Sequence, residues 1–542
     1  MLWNNHYAPS IQLSQFLRIG FTLAALAITT QPFLPSLSAE PRSAGGSIMG
    51  APDKESEFDL WQINDDAGSG HWPVKDFPAK ITATPRPPSS PASTSPGLKV
   101  TDDGRFLVRN DGTPFFWLAD SAQLLLYRLS REDVDLYLQH RASLGFTVIK
   151  TQIVSFLGIN ATNFYGNAPF IDGDPRRPNE AFWQHVDYVI NKIESLGLVA
   201  ALVPDRNLIV VDHDKNNFGP LDASSAYAYG QYVGRRYRGK PIVWVLGWDV
   251  APAGREAVFQ AEADGIAQGA ADGDHSKVLI TFHPHSSTSS SDWFHNYPWL
   301  DFNSIQSGHT IDNEAYNFPE THTLIASDYA KVPSKPVLEG EPAYEDTQDG
   351  FWYTKNGHRM SGDVIRRKAY WAIFAGAFGH TYGHNDIVAF HEPGRPSYSG
   401  QRNYWKDVLD APGAADMRHL RTLLESRSHF VRIPDQSVLV SVAGRGPDHV
   451  RATRASDNSY VLVYIPNGRP VTVNMKSIRE NVVKASWFDP RTGRFSAIGQ
   501  FCNTGIQSFD PPGNTRTGND WVLILDAVSA TTHSTSPTRC KS

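Results

Sequence analysis

Along this chain, short apolar runs alternate with longer stretches in which apolar residues recur at helical spacing. Phe106-Leu107-Val108 and Phe115-Phe116-Trp117-Leu118 flank Asn110-Asp111-Gly112, a turn signal that predicts a hairpin. The second run ends at Asp120. The periodicity then predicts a helix from Arg131 to Leu144, a strand from Val148 to Val154, a helix from Glu180 to Leu196 and a strand from Val199 to Val203. A helix from Ala223 to Tyr237 follows, then the run Pro241-Ile-Val-Trp-Val-Leu-Gly-Trp-Asp249, which reads as a buried parallel strand. Next come a helix to Gly269, strands over Val278 to Phe282 and Phe302 to Gln306, and a helix from Thr321 to Tyr329. A strand over Pro336 to Gly340, a helix over Val364 to Phe378 and a short strand over His380 to Tyr382 close the series. Counted from Phe115, these are about eight β/α units in roughly 300 residues, which predicts a (β/α)8 TIM barrel. A doubly wound open sheet is the alternative. The lack of a Gly-rich phosphate loop after the first strand counts against it.

Beyond Phe430 the rhythm becomes that of short strands between turns: Val438-Leu-Val-Ser-Val442, Tyr460-Val-Leu-Val-Tyr464, Val471-Thr-Val473, Ala485-Ser-Trp-Phe488 and Trp521-Val-Leu-Ile-Leu525. This predicts a small all-β sandwich over 431–527, after a barrel over 98–430. Segment 40–97 is Pro/Ser-rich and reads as a linker, with Phe58, Trp61 and Trp72 upstream of its Pro-rich end. Segment 528–542 is a Ser/Thr-rich tail expected to be disordered.

The first 39 residues bear on compartment. Arg18 precedes an apolar run from Ile19 to Ile28, and Ser36-Leu-Ser-Ala39 supplies small residues for cleavage. That reads as a secretory signal peptide, too short to span a bilayer comfortably. The expectation is a secreted protein with no membrane association in its mature form; a membrane-anchored precursor is the minor alternative. Cys502 and Cys540 are the two cysteines of the chain, and in an oxidising compartment they could pair. Asn160-Ala161-Thr162 is a glycosylation sequon. A net charge of -6 over 542 residues argues against nucleic acid as a partner.

In a barrel, polar residues at the carboxyl ends of the strands define the site. Here they are Asp120, Gln152, Arg206, Asp249, His283 and His285, Gln306 and His309, Glu341, and His380, Tyr382 and His384. No cofactor motif accompanies them, and no cofactor or metal is expected. The histidines match no helix-borne metal motif. A lining this rich in donors and acceptors suits a polyhydroxylated ligand. Asp249 and Glu341 close the fourth and seventh strands, the arrangement of two carboxylates that glycoside hydrolysis needs. Apolar surroundings and Trp248 beside it would raise the pKa of Asp249, as an acid requires; a helix cap is the bland reading of the same residue. Strand parity does not separate Glu339 from Glu341, but Glu341 lies nearer the carboxyl end. Asp205, Glu345 and Asp386 are spare carboxylates, and Trp293, His295 and Trp299 read as packing.

The same stretches resemble the apiosidase-like glycoside hydrolases. The likeness is carried by Gly112-Thr-Pro-Phe-Phe-Trp-Leu-Ala-Asp120, Tyr137 to Ile149, Val243-Trp-Val-Leu-Gly-Trp-Asp249, Trp299 to His309, Lys335-Pro-Val-Leu-Glu-Gly-Glu-Pro-Ala-Tyr344 and Gly379-His-Thr-Tyr-Gly-His384. Trp487-Phe-Asp-Pro-Arg-Thr-Gly493 and Asp520-Trp-Val-Leu-Ile524 resemble the collagen-binding-like β-domain that often follows such a barrel; that label is no evidence of collagen binding. The resemblance implies a retaining enzyme with Asp249 as acid/base and Glu341 as nucleophile, and apiosides of pectic side chains as leading substrates. Substrate contacts are expected at Asp120, Gln152, Arg206, Trp248, His283, Gln306, His309, Tyr344, Tyr382 and His384. The chain departs from the family at Trp248, where Gly is usual, at Asp205-Arg206 in place of Thr-Trp, and at Val388 in place of Trp. These changes predict a reshaped pocket floor and a shift in sugar preference. The alternatives are a non-catalytic carbohydrate-binding protein on a decayed barrel, a glycosidase for another furanoside or a glucan, and a metal-dependent hydrolase.

Overall fold

The structure, a computed structural model, describes residues 97–351 and 357–528. The signal peptide, nearly all of the linker, the tail and Cys540 lie outside the described residues. Cys502 is disulfide-bonded. Among the described residues no helix is long and apolar enough to cross a membrane.

Eight parallel strands form the barrel: β1 (Trp117–Ser121), β2 (Val148–Gln152), β3 (Val199–Val203), β4 (Ile242–Leu246), β5 (Leu279–Phe282), β6 (Asn303–Gln306), β7 (Val337–Glu339) and β8 (Gly379–Tyr382). They are hydrogen-bonded in the order β6-β7-β8-β1-β2-β3-β4-β5. The ring closes between β5 and β6, where the Asp301 N–H donates to the Ile280 carbonyl at 2.9 Å and the Thr281 hydroxyl donates to the Phe302 carbonyl at 2.7 Å. Seven strands are followed by a helix: α1 (Arg131–Ser143), α2 (Glu180–Ser195), α3 (Ala223–Arg236), α4 (Glu256–Ala271), α5 (Thr321–Tyr329), α6 (Gly362–Phe374) and α7 (Pro412–Glu425). After β5 the chain makes only a four-residue helical turn, Ser291–Phe294, beside Thr288–Ser289, which pairs antiparallel with β6.

The strands read as continuous apolar runs because both faces are covered. Ala119, Val148, Ala201, Val203, Val243, Val245, Leu279 and Leu338 fill the interior. Ile149, Leu202, Trp244, Leu246, Ile280 and Phe282 face the helices. Helices α3 and α4 approach closely because glycines line their contact. A Cβ on Gly265 would lie 2.1 Å from the Tyr227 carbonyl oxygen, and one on Gly230 would lie 2.4 Å from that of Glu262.

The end domain has β9 (Arg432–Pro434), β10 (Arg451–Ala455), β11 (Tyr460–Ile465), β12 (Val471–Asn474), β13 (Val482–Asp489), β14 (Arg494–Cys502), β15 (Ile506–Phe509) and β16 (Trp521–Ala527). Six form an antiparallel sheet in the order β9-β10-β11-β16-β13-β14, and β12 pairs with β15. All six residues of β11 are buried because this sheet is covered twice. Val461, Val463 and Ile465 share a core with Val471, Val473 and Phe509. Tyr460, Leu462 and Tyr464 share another with α6 and α7 of the barrel. Tyr464 stacks on Tyr370 at 4.7 Å, and Arg366 reaches from α6 to Asp520 at 2.8 Å and Asp416 at 2.7 Å.

Two expected elements differ. Leu107–Arg109 pairs along its length with Leu98–Val100, and across the Asn-Asp-Gly turn it makes only one antiparallel bridge, Val108 to Pro114. Thr101, Asp103 and Gly104 close that earlier hairpin, while the Trp117 run is taken into the barrel between β8 and β2. Val438–Val442 is not a strand. A 3-10 turn, Gln436–Val438, buries Val438 and leaves Val440 and Val442 exposed.

Candidate active site

The carboxyl end of β7 is built around a break in alternation. Leu338 packs inside the barrel, so Glu339 takes the opposite face, within the field of Lys368 from α6. The backbone N–H groups of Gly340 and Glu341 then both donate to the Ile305 carbonyl, at 2.8 and 3.1 Å. This bulge resets the register and turns Glu341 to the mouth. There its Oε1 meets His309 Nε2 at 3.1 Å and its Oε2 meets His283 Nε2 at 3.1 Å. Burial pushes the Glu341 carboxyl up, but the hydrogen bonds and charges of the two imidazoles outweigh it and hold it well below the usual carboxylate range. Burial has the opposite outcome at Glu339, whose carboxyl is pushed up to about 8.

His283 continues β5 and is fully buried. Its Nδ1 lies 3.0 Å from the Lys150 Nζ, and Trp248 stacks on its ring at 4.4 Å. Burial and the Lys150 charge push His283 down to about 4, against the pull of Glu341 and Asp249. His309 packs edge-on to Tyr344 at 4.7 Å. The Tyr344 hydroxyl donates to Ser121 Oγ at 2.9 Å and lies within hydrogen-bonding reach of Glu341.

Beyond β4 the chain turns sharply. Gly247 has φ +64 and a Cβ there would strike the Phe282 ring at 2.4 Å, so only glycine fits. Asp249 has φ 58, a left-handed conformation that Asp tolerates better than most residues. The Gly247 N–H donates to both Asp205 oxygens at 2.9 and 3.0 Å. Asp205 is buried against Glu262 of α4, and burial pushes its carboxyl up to about 7. Asp249 emerges exposed from this buried base, and its charge is felt by Arg206, Lys150, His283 and His285. The Arg206 guanidinium donates to the Trp248 carbonyl at 2.6 Å.

The structure thus brings Asp249, Glu341, His283, His309, Arg206, Trp248 and Tyr344 together. Trp248 is 3 % exposed, so its ring packs the floor. Gln152 and Gln306 are buried at the ends of β2 and β6; both amide atoms of Gln152 and the Oε1 of Gln306 lack a partner among the described residues. Other expected contacts are taken up by the scaffold. Asp120 is fully buried in an ion pair with Arg141 and accepts from the Tyr137 hydroxyl at 2.7 Å. Tyr382 is likewise buried and donates to Glu345 at 2.7 Å. His384 lines a separate cavity of about 450 Å3 with Glu345, Asp346, Ser361, Asn403 and Asp407. The spare carboxylates are engaged too: Glu345 accepts from the Gly413 N–H and Asp386 from the Arg402 N–H. Lys150 was not anticipated as part of the site. Its signal was a charged residue inside the apolar strand Val148-Ile-Lys-Thr-Gln152. Among the described residues no group of three or more His, Cys, Asp or Glu is arranged to hold a metal ion. The two imidazoles aim at separate oxygens of one carboxylate.

An ionised carboxylate held rigidly in a polar barrel mouth, with an exposed second carboxylate on the fourth strand's end, is the equipment of a glycoside hydrolase. A solved structure titled "Glycoside hydrolase" is 33% identical, with 80% of this chain and 97% of that chain covered and a TM-score of 0.73. A glycoside hydrolase family 5 structure from Bacteroides vulgatus is also 33% identical, covering 80% of this chain and 94% of that one, with a TM-score of 0.73. A Bacteroides vulgatus structure titled "putative glycoside hydrolase", at 16% identity with 81% of this chain and 84% of that one covered and a TM-score of 0.58, shares the fold. None of the curated proteins matches the chain. The chain belongs to the apiosidase-like glycoside hydrolases: residues 101–431 match the "Apiosidase-like, catalytic domain". Residues 433–526 match a domain described as "Putative collagen-binding domain of a collagenase".

Proposed function

We propose that this chain is a secreted, retaining glycosidase that removes terminal furanoside residues from pectic plant cell-wall glycans, with apiosides as the leading substrates. Glu341 is the nucleophile and Asp249 the acid/base. The observation that carries this reading is the contrast at the mouth: Glu341 is buried yet held ionised by His283 and His309, while Asp249 stands exposed on the turn after β4. An anionic, immobile oxygen is what attack on an anomeric carbon requires. Asp249 gives its proton to the departing glycosidic oxygen, then takes one from the water that releases the sugar. Gln152, Gln306 and Arg206 supply hydrogen-bonding groups for sugar hydroxyls, and Trp248 in the floor narrows the choice of sugar. The apiosidase-like domain match supports the substrate class.

The test is hydrolysis of a panel of apiosides, arabinofuranosides and glucans by the purified chain, with NMR of the first-formed anomer. Release of a terminal furanose with retained configuration is expected. An inverted first product, or cleavage confined to glucans, overturns the reading.

A further inference from the structure

We propose that Lys150 is a positioning residue for Glu341: its ammonium fixes His283 as the Nε2–H tautomer, and that ring holds the carboxylate. The inference rests on the reading of Glu341 as nucleophile for its catalytic meaning, but its geometry stands alone. A lysine ammonium carries donors and no acceptor. With Nζ 3.0 Å from His283 Nδ1, that nitrogen accepts, and in the neutral ring the remaining proton sits on Nε2, which is 3.1 Å from Glu341 Oε2 though off the line of a full hydrogen bond. The same Nζ donates to the Gly340 carbonyl at 3.0 Å, the peptide immediately before Glu341. Lys150 therefore grips both the imidazole that holds the nucleophile and the backbone that carries it.

A third contact ties in the residue that departs from the family. Nζ lies 4.1 Å from the Trp248 ring centroid, and Trp248 stacks on His283. A cation over an indole face is attracted by the ring's quadrupole, most strongly where water is excluded, and Lys150 is 3 % exposed. The ammonium is the hub on which Trp248, His283 and Gly340 converge. The carboxyl groups whose ionisation acts on it are those of Glu341, Glu339 and Asp249. Burial pushes Lys150 down to about 8, against the pull of these three, so it is charged at neutral pH and the arrangement is complete there.

The experiment uses the full chain with 15N-labelled histidine and 13C-labelled glutamate, with His283→Asn and Glu341→Gln variants to assign the signals. Expected in the unsubstituted protein at pH 6–7 is the Nε2–H tautomer at His283. In Lys150→Met that signature gives way to the other tautomer or a mixture, and the Glu341 carboxyl titrates about one pH unit higher or more. Lys150→Leu, which likewise lacks a donor, is the second variant should Lys150→Met fail to fold. An Nδ1–H tautomer in the unsubstituted protein overturns the inference without any variant. So does an unchanged tautomer and Glu341 titration in a folded Lys150 variant. Near-normal turnover by Glu341→Gln instead removes the nucleophile reading and leaves the tautomer result to decide the role of Lys150.

Discussion

Glu339 and Glu341 stand two residues apart, yet burial pushes the first up to about 8 while two imidazoles hold the second well below the usual range. A neutral amide should therefore replace Glu339 far more easily than Glu341. Glu339→Gln is expected to keep turnover within about 3-fold, whereas Glu341→Gln loses a factor on the order of 10³ or more. Steady-state rates on the preferred glycan check the pair; equal losses would void the distinction.

The same contrast predicts a pH-dependent stability difference. Glu339 binds its proton more tightly folded than unfolded. Its contribution is fully present below the unfolded carboxyl range and is lost as pH rises through about 8. Thermal melts of the unsubstituted protein and Glu339→Gln should thus differ least near pH 4, and the difference should grow against the unsubstituted protein as pH rises to about 8. Parallel melting curves across that interval would contradict the assigned shift.

At Asp249 the expectation concerns the leaving group. Protonation matters most when the departing oxygen is basic, so Asp249→Asn should lose roughly 10²–10⁴-fold on an alkyl glycoside and markedly less on a nitrophenyl glycoside of the same sugar. Comparing kcat/KM on the two checks this. Identical losses would show that Asp249 does not act as the acid.

Trp248 is expected to matter for stability as well as specificity, because its ring packs against His283 and Lys150. Trp248→Ala should cost about 3–5 kcal/mol in chemical denaturation. A pure change in sugar preference with unaltered stability would mean the ring is not packed as described.

Arg366 lies between two carboxylates at the junction of barrel and end domain. Arg366→Ala leaves Asp520 and Asp416 buried without their cation and should cost about 3–5 kcal/mol. Calorimetry should show one transition, lowered as a whole. Two separated transitions in the unsubstituted protein would show that the domains unfold independently.

The alternation of β and α elements was legible because apolar periodicity depends only on which faces are covered. Asp249 and Glu341 stood out for the same reason: a carboxylate at the end of an apolar strand has few uses besides a cap or a site. What escaped depended on register and on distant partners. Parity placed Glu339 and Glu341 on one face, and only the bulge at Ile305 separates them. Asp120 reads as a ligand until Arg141 is seen to claim it. Lys150 showed itself only as a charge inside an apolar strand; its partners, His283 and the Gly340 carbonyl, lie at the ends of strands more than a hundred residues away. Val440 and Val442 look like strand residues, but the core between the end domain's sheets is already filled by Val438, Val471 and Val473.

The twofold burial of β11 has a consequence for reach. Because Leu462 and Tyr464 belong to the same core as helices α6 and α7, the end domain does not swing on a tether. Any ligand bound by that domain would therefore stand at a fixed distance and heading from the barrel mouth, set by the shared core and not by a linker.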